Sequence, residues 1–325
     1  MKTEILQPTD VNIMRCASAL KAGGLVAFPT ETVYALGAIA TDAAAVEKVF
    51  AVKKRDKGKP VIVAVGKKSD IPSVVKSVPE KAKILIEKFM PGALTLVFDR
   101  AEVIPDIVTA GTNSVAVRIP DNPVAAKLIA LAGAPVVVPS ANTSDKASPT
   151  LAKHVLEDLD GKIDFILDGG ESDIGIESTI VDIRTDPPTV LRAGGVTVKS
   201  IEKEIGKVVS RREDVKQSAY TPNAEVLFSA FYDGMAKNIC ARYDEKTVRG
   251  TAVILCLDGN RNEYGDRKVF SLGADYKAYA HNLFAALRRA DEEHYDTVIA
   301  EGVDPTGIGE SLIARLIKLS GGIII

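Results

Sequence analysis

The chain has 325 residues, long for a single core and enough for two domains, with 46% apolar and 26% charged residues, the balance of a folded globular protein. Its net charge of -2 excludes bulk attraction to nucleic acid or an anionic membrane and leaves only local patches for such contacts. Cys16, Cys240 and Cys256 stand apart without CxxC spacing, Met1-Lys2-Thr3-Glu4 has no apolar signal core, and no run reaches membrane-span length; a cytoplasmic protein without disulfides, structural zinc or membrane segments is expected.

Val11 to Lys21 reads as a first helix, stopped by Gly23-Gly24, and Leu25 to Phe28 as a short buried strand running into Pro29-Thr30-Glu31-Thr32-Val33-Tyr34. Asp42 is an N-cap for a helix from Ala43 to about Lys53, with Val46, Val49 and Phe50 on one face. Val61 to Val65 is a strand, Pro79 to Phe89 a helix, Leu94 to Phe98 and Val115 to Ile119 strands, and Asn122 to Leu131 a helix. The β-branched run Val136 to Val138 is a buried strand ended by Pro139, and a helix follows from Thr150 to about Leu159. Short strands at Phe165–Leu167, Thr179–Ile183 and Thr189–Leu191 complete a large mixed α/β sheet.

From Lys199 to Lys216, ten of eighteen residues are charged with both signs, which reads as a solvated helix end and a linker. Beyond it, strands at 224–228, 252–257 and 297–300 alternate with helices at 232–242, 276–290 and 308–319. That order predicts a small parallel sheet with helices packed on it. The closing Gly321-Gly322-Ile323-Ile324-Ile325 reads either as an edge strand or as a frayed tail.

Chemistry-bearing residues gather at strand ends. Ser140, Asn142 and Ser148 follow the Val136 strand, where hydroxyls, an amide and free backbone N–H groups suit an anion or nucleotide; an ordinary turn is the plainer reading. Lys53, Lys54, Arg55, Lys57 and Lys59 put cations at a helix C-terminus, either solvated against the helix dipole or gathered for phosphates. In Val115-Ala116-Val117-Arg118-Ile119, alternation sets Arg118 beside Ala116, as a structural ion pair or as a clamp for carboxylate or phosphate. Arg192 ends a strand beside a glycine turn. Gly170 to Thr179 superficially resembles a phosphate-binding loop, but it lacks the lysine and leads into a strand instead of a helix. His154, His281 and His294 neighbour no nucleophile in a hydrolase pattern. Lys, Arg, Ser, Thr and Asn without a histidine suit positioning and charge neutralisation, as in transfer at phosphorus.

Taken in order, Pro29 to Tyr34, Lys53-x-Arg55, Pro91-Gly92-x-Leu94-Thr95, Val115 to Pro120, Ser140-x-Asn142 with Ser148-Pro149-Thr150, Glu177-Ser178-Thr179 and Leu191-Arg192 resemble the YrdC-type threonylcarbamoyl-AMP synthases. Leu283-Phe284-x-Ala286-Leu287-Arg288 and Ala300-Glu301-Gly302 extend the resemblance to the two-domain form. It implies a YrdC-like twisted mixed sheet with helices over residues 1–205, a linker over 206–224 and a smaller Rossmann-like parallel α/β domain over 225–325. The implied reaction joins L-threonine, bicarbonate and ATP into threonylcarbamoyl-AMP and pyrophosphate, for passage to partner proteins that modify tRNA, with a tRNA contact among the implied interactions. By motif match, Lys53 and Arg55 are catalytic; Arg55, Lys59, Ser114, Ser140, Asn142, Ser148 and Arg192 hold ATP with Mg2+, and Tyr220 caps it. Thr32, Arg118 and Ser178 hold threonine. Asp56, Ala35 and Ala64 stand where the family usually has proline, glycine and histidine, and Ala219-Tyr220-Thr221-Pro222 stands where it has His-Tyr-x-Pro. Two other readings are a non-catalytic RNA-binding module of the same fold, resting on the 53–59 cations, and a carbamoyl transferase, whose usual zinc-finger motifs are absent.

Overall fold

The computed structural model describes residues 2–144, 146–210 and 222–325. They form two compact units: one from 2–144, 148–173 and 177–210, the other from 146–147, 174–176 and 222–325. Tyr220, and with it Ala219, Thr221 and most of the expected 206–224 linker, lies outside the described residues. Among the described residues no helix is long and apolar enough to cross a membrane.

The larger unit begins with β1 (Glu4–Leu6), α1 (Asp10–Lys21), β2 (Val26–Phe28), β3 (Ala35–Ile39), α2 (Ala43–Lys53) and β4 (Val63–Ala64). It continues through α3 (Glu80–Phe89), β5 (Leu94–Asp99), the short α4 (Asp106–Thr109), β6 (Ser114–Arg118), α5 (Pro123–Ala132) and β7 (Val136–Val137). α6 (Ala152–Leu159), β8 (Phe165–Leu167), β9 (Thr179–Asp182), β10 (Thr189–Arg192), α7 (Val198–Ile205) and β11 (Val209–Ser210) complete it. The strands lie in the order β1-β8-β2-β3-β7-β4-β6-β5-β9-β10-β11, with parallel and antiparallel neighbours mixed. The charged stretch after Lys199 holds the end of α7, as expected, anchored by buried Ile201, and in addition the two-residue edge strand β11.

Alternation along the strands divides the apolar residues between two cores. Ala27, Val63 and Val137 face a core covered by Val46, Val49 and Phe50 of α2, Leu85 of α3 and Val155 of α6. Val26, Phe28, Ala64 and Val136 face the other way, under Ile13, Cys16 and Leu20 of α1 and Leu128 and Ile129 of α5. On β5, β6 and β9 only the first core continues, through Leu94, Leu96, Phe98, Val115, Val117 and Val181. The reverse face there carries Thr95, Val97, Ser114, Ala116, Arg118, Ile180 and Asp182, a polar floor instead of a second apolar layer.

The smaller unit contains β12 (Glu225–Phe228), α8 (Met235–Thr247), β13 (Ala252–Cys256), β14 (Val269–Ser271), α9 (Tyr276–Glu292), β15 (Thr297–Ala300) and α10 (Ile308–Leu319). Its strands are all parallel, in the order β12-β15-β13-β14. The chain steps one way from β12 through β13 to β14 and back to β15, so right-handed crossovers set α8 and α9 on opposite faces. The helix expected from Tyr232 starts instead at Met235, because Gly234 just before it adopts φ 88. The tail lies along β12, Ile325 N donating to Phe228 O at 2.9 Å. Buried Glu301, at the end of β15, receives Leu257 N (2.8 Å), Asn260 Nδ2 (3.0 Å) and the Tyr264 hydroxyl, locking the turn after β13. Gly302 beside it has no room for a side chain: a Cβ would lie 2.3 Å from Ser229 O.

Asp42 Oδ1 accepts from Ala44 N and Ala45 N at 3.0 and 3.1 Å, satisfying two otherwise open donors at the start of α2. Asp42→Ala is expected to destabilise the larger unit by about 1 kcal/mol, read as a lower urea midpoint with unchanged slope.

Candidate active site

The polar floor is built on β6. Ser114, Ala116 and Arg118 share one face of the strand, and small Ala116 leaves space between the other two. Arg118 pairs in register with Thr95 of β5 and with Ala64 of β4, and its side chain is 7% exposed. Its Nε donates to Gly92 O at 3.1 Å and its Nη2 to Glu31 Oε1 at 2.7 Å. Glu31 sits in the turn between β2 and β3, which buried Thr30 organises: its Oγ1 donates to Val33 O at 2.6 Å and lies 2.9 Å from Thr32 Oγ1.

Next to Arg118, Thr95 Oγ1 lies 2.8 Å from Ser178 Oγ, just before β9. Arg192, at the end of β10, donates to Ser178 O from Nε (3.0 Å) and Nη2 (2.9 Å), and from Nη2 to Ser178 Oγ at 3.2 Å. Ser148 Oγ donates to Glu177 Oε1 at 2.8 Å, on the residue preceding Ser178. Arg118, Ser178 and Arg192 are thereby brought together through Thr95, while Thr32 is tied to Thr30 and Ser148 to Glu177. Arg192, assigned to ATP by motif, has its guanidinium turned onto Ser178.

Lys53 closes α2 from within. The chain turns sharply at Lys54, in the left-handed region with φ 49, and the Lys53 side chain folds inward to 1% exposure, not into solvent. Its Nζ donates to Asn142 O at 2.6 Å and to Ser140 O, while its own carbonyl accepts from Ser144 N at 2.9 Å. Burial pushes the ammonium down to about 7, helped by Arg55 and opposed by Asp158. A neutral amine keeps two N–H groups, so both carbonyls retain a donor in either charge state. The Ser140–Ser144 loop is also tied to the Thr30 turn through Tyr34, whose carbonyl accepts from Ala141 N (2.9 Å) and whose N–H donates to Pro149 O (2.8 Å).

Arg55 directs Nε to Lys59 O at 3.4 Å and Nη2 to Pro60 O at 2.9 Å, within its own turn, and burial lowers the guanidinium from its usual range. Lys57 pairs instead with Glu47 at the surface. Ser114 lies at the far end of β6 from Arg118, about 13 Å away at ~3.3 Å per residue, so the two are not neighbours but the two ends of one strip. Reading by residue type passed over Glu31, Thr95 and the Gly92 carbonyl as site groups. Thr95 was visible as the polar break in the alternating run Leu94, Leu96, Phe98; Glu31 gave no comparable signal.

A family model described as "Telomere recombination", covering Sua5, YciO and YrdC, matches residues 18–194, and one described as "Threonylcarbamoyl-AMP synthase, C-terminal domain" matches residues 196–321. A threonylcarbamoyl-AMP synthase of Pyrococcus abyssi is 40% identical over 321 residues, 94% of this chain and 93% of that one. One of Bacillus subtilis is 38% identical over 338 residues, covering 99% of this chain and 97% of that one. The crystal structure of P. abyssi Sua5 complexed with L-threonine superposes with a TM-score of 0.92 at 38% identity, covering 100% of this chain and 98% of that one.

Two outcomes follow from this geometry. A Cβ on Gly194 would lie 2.3 Å from Glu177 O and 2.4 Å from Thr179 N, so Gly194→Ala must displace the Ser178 backbone; ligand affinity at the Ser178 end should fall at least about tenfold, roughly 1.4 kcal/mol, measured by calorimetry. Lys53 is lowered from 10.5 to about 7 in the folded chain. Between those values the unfolded chain holds the proton and the native one does not, so this lysine destabilises most below pH 7 and the penalty is relieved as pH rises toward 10.5. Urea unfolding at several pH values should therefore show wild type gaining stability on Lys53→Met across that window, by at most about 1.4 kcal/mol per pH unit.

Proposed function

Because this chain belongs to the Sua5/YrdC family in its two-domain form, we propose that its larger unit joins L-threonine, bicarbonate and ATP into threonylcarbamoyl-AMP and pyrophosphate. The protein is an enzyme, a nucleotidyl-transferring synthase. The threonine amine first joins bicarbonate with loss of water (or CO2 with loss of a proton) to form a carbamate. A carbamate oxygen then bonds to the α-phosphorus of ATP as the bond to pyrophosphate breaks. The nucleophile comes from the substrates, so the protein's task is to align an anion with a polyanion and spread the developing charge.

Arg118, Thr32 and Ser178 are assigned to threonine, the guanidinium taking the carboxylate. Ser140, Asn142 and Ser148 are assigned to the nucleotide, with Ser114 at the opposite end of the strip. Arg55 and Lys59 neutralise the triphosphate, and Mg2+ arrives on it as part of the substrate. Lys53 acts by holding the Ser140–Asn142 backbone, which its amine does in either charge state. Tyr220 is assigned to capping the nucleotide. Arg192 fixes Ser178 from behind and contributes its charge to the same end of the site. The product is a mixed anhydride that water would destroy, and its consumers are proteins that place the group on an adenosine of tRNA, in the cytoplasm.

The observation that most supports this reading is Arg118, a buried guanidinium in register with Thr95, whose hydroxyl meets Ser178, on the reverse face of β5 and β6. The RNA-binding alternative rested on the cations from Lys53 to Lys59; Lys53 is buried and Lys57 is paired with Glu47, which breaks that stripe.

Pyrophosphate release is the test. The pure protein with ATP, Mg2+, L-threonine and bicarbonate should release pyrophosphate, and omission of threonine or bicarbonate should stop it. Arg55→Ala and Ser140→Ala should each lower turnover on the order of 100-fold with the circular dichroism spectrum retained. Release that ignores threonine, or near-normal turnover in both variants, would overturn the assignment.

A further inference from the structure

The Arg118–Glu31 pair has an asymmetry that stability does not explain. Both side chains are 7% exposed, and Glu31 Oε1 receives Arg118 Nη2 at 2.7 Å, but Glu31 Oε2 is buried without a hydrogen-bond partner among the described residues. A buried carboxylate already bears a desolvation penalty, and an unmatched oxygen adds to it. An ion pair kept only for the fold would engage both oxygens or be replaced by apolar residues of the same volume.

The other side of the pair is asymmetric too. Arg118 Nε is taken by Gly92 O at 3.1 Å and Nη2 by Glu31, while Nη1 makes no hydrogen bond among the described residues. Two acceptors on one edge fix the plane of a guanidinium, and its remaining N–H groups then have a set direction. Thr95, in register beside it, and Ser178, 2.8 Å from Thr95 Oγ1, bound the space on the same floor.

We propose that Glu31 is the positioning residue of the threonine subsite: together with the Gly92 carbonyl it pins the Nε–Nη2 edge of Arg118, so that the Nη1 end is presented to the substrate carboxylate. This rests on the threonine-binding reading of the site. In this role Glu31 acts through Arg118. Its charge has the same sign as the substrate carboxylate, so the direction of the effect is diagnostic. A residue acting only by charge would repel threonine, and its removal would tighten binding. A residue acting by position has the opposite sign.

The test is steady-state pyrophosphate release by wild type, Glu31→Leu (similar size, no acceptor), Glu31→Gln (same shape, a weaker acceptor) and Glu31→Asp, each with a thermal melt. The expected result is a threonine KM raised at least tenfold in Glu31→Leu and by a smaller factor in Glu31→Gln, with the ATP KM within twofold of wild type in both. L-Threoninol, which lacks the carboxylate, should compete against threonine relatively better in Glu31→Gln than in wild type. A threonine KM that is unchanged or lowered in Glu31→Gln, or a lowered melting temperature with both KM values intact, overturns the proposal and leaves a structural ion pair. A wild-type protein whose pyrophosphate release ignores threonine overturns the reaction assignment, and this proposal with it; the two failures are separated by the wild-type control.

Discussion

A lysine taken out of water holds the site region together. Lys53 ends α2, and its Nζ is given to the carbonyls of Ser140 and Asn142. Its own carbonyl accepts from Ser144 N at 2.9 Å. Three hydrogen bonds thus join the last turn of a helix to the loop after β7, and Tyr34 carries the connection on to the Thr30 turn. Burying an ammonium is unfavourable, and the downward push on its proton affinity is a measure of that penalty. What the arrangement secures is a polar loop that does not have to be ordered by its ligand. Ordering that loop only on binding would subtract its conformational entropy from the affinity.

The second constraint is the mixed sheet. An all-parallel sheet would have both faces covered by crossover helices and no polar floor. Here β5 runs antiparallel to β6 and parallel to β9, and only one apolar core continues beneath them. The reverse face is free to carry Thr95, Ser114, Ala116 and Arg118. Rigid strands, not loops, therefore fix the spacing between the two ends of the strip, and Gly92 and Ser178 enter from the adjoining turns. Side chains on strands hold their positions better than side chains on loops, which matters for a reaction whose catalysis is alignment.

Much of this was legible along the chain, for reasons that can be named. Val115 to Ile119 alternates cleanly, which placed Arg118 on the face opposite the core. Asp42 caps its helix as expected; Asn122 and Asp275 do the same for α5 and α9. β3 was not legible, because Ala-Leu-Gly-Ala-Ile has neither alternation nor a β-branched run; its pairing with β2 and β7 makes it a strand. The three-residue β14 was hidden for the same reason and is defined by its register with β13. In the site, residue type and order picked out Arg118, Ser178 and Arg192. They could not reveal that Arg192 serves Ser178, since that bond depends on how β10 returns beside β9. Lys53 was the least legible. A lysine at a helix C-terminus normally complements the dipole from solvent, but Lys53 lies three residues after Phe50 and seven after Val46, on the buried face of α2.

The two arginines on the floor show how such a site is preorganised. Neither is solvated along its anchored edge: Arg118 is held by Gly92 O and Glu31, Arg192 by the Ser178 carbonyl and hydroxyl. The anchored N–H groups fix the plane of each guanidinium and so set the direction of its charge. Water in the same place would have to reorient as charge moves from carbamate to phosphate, and that reorganisation is part of the barrier. Fixed donors on a strand floor have already met that cost during folding. A histidine base would add little here, because the carbamate oxygen carries its own negative charge and gives up no proton when it attacks phosphorus. The burden of catalysis falls on the backbone carbonyls and carboxylates that aim the cations.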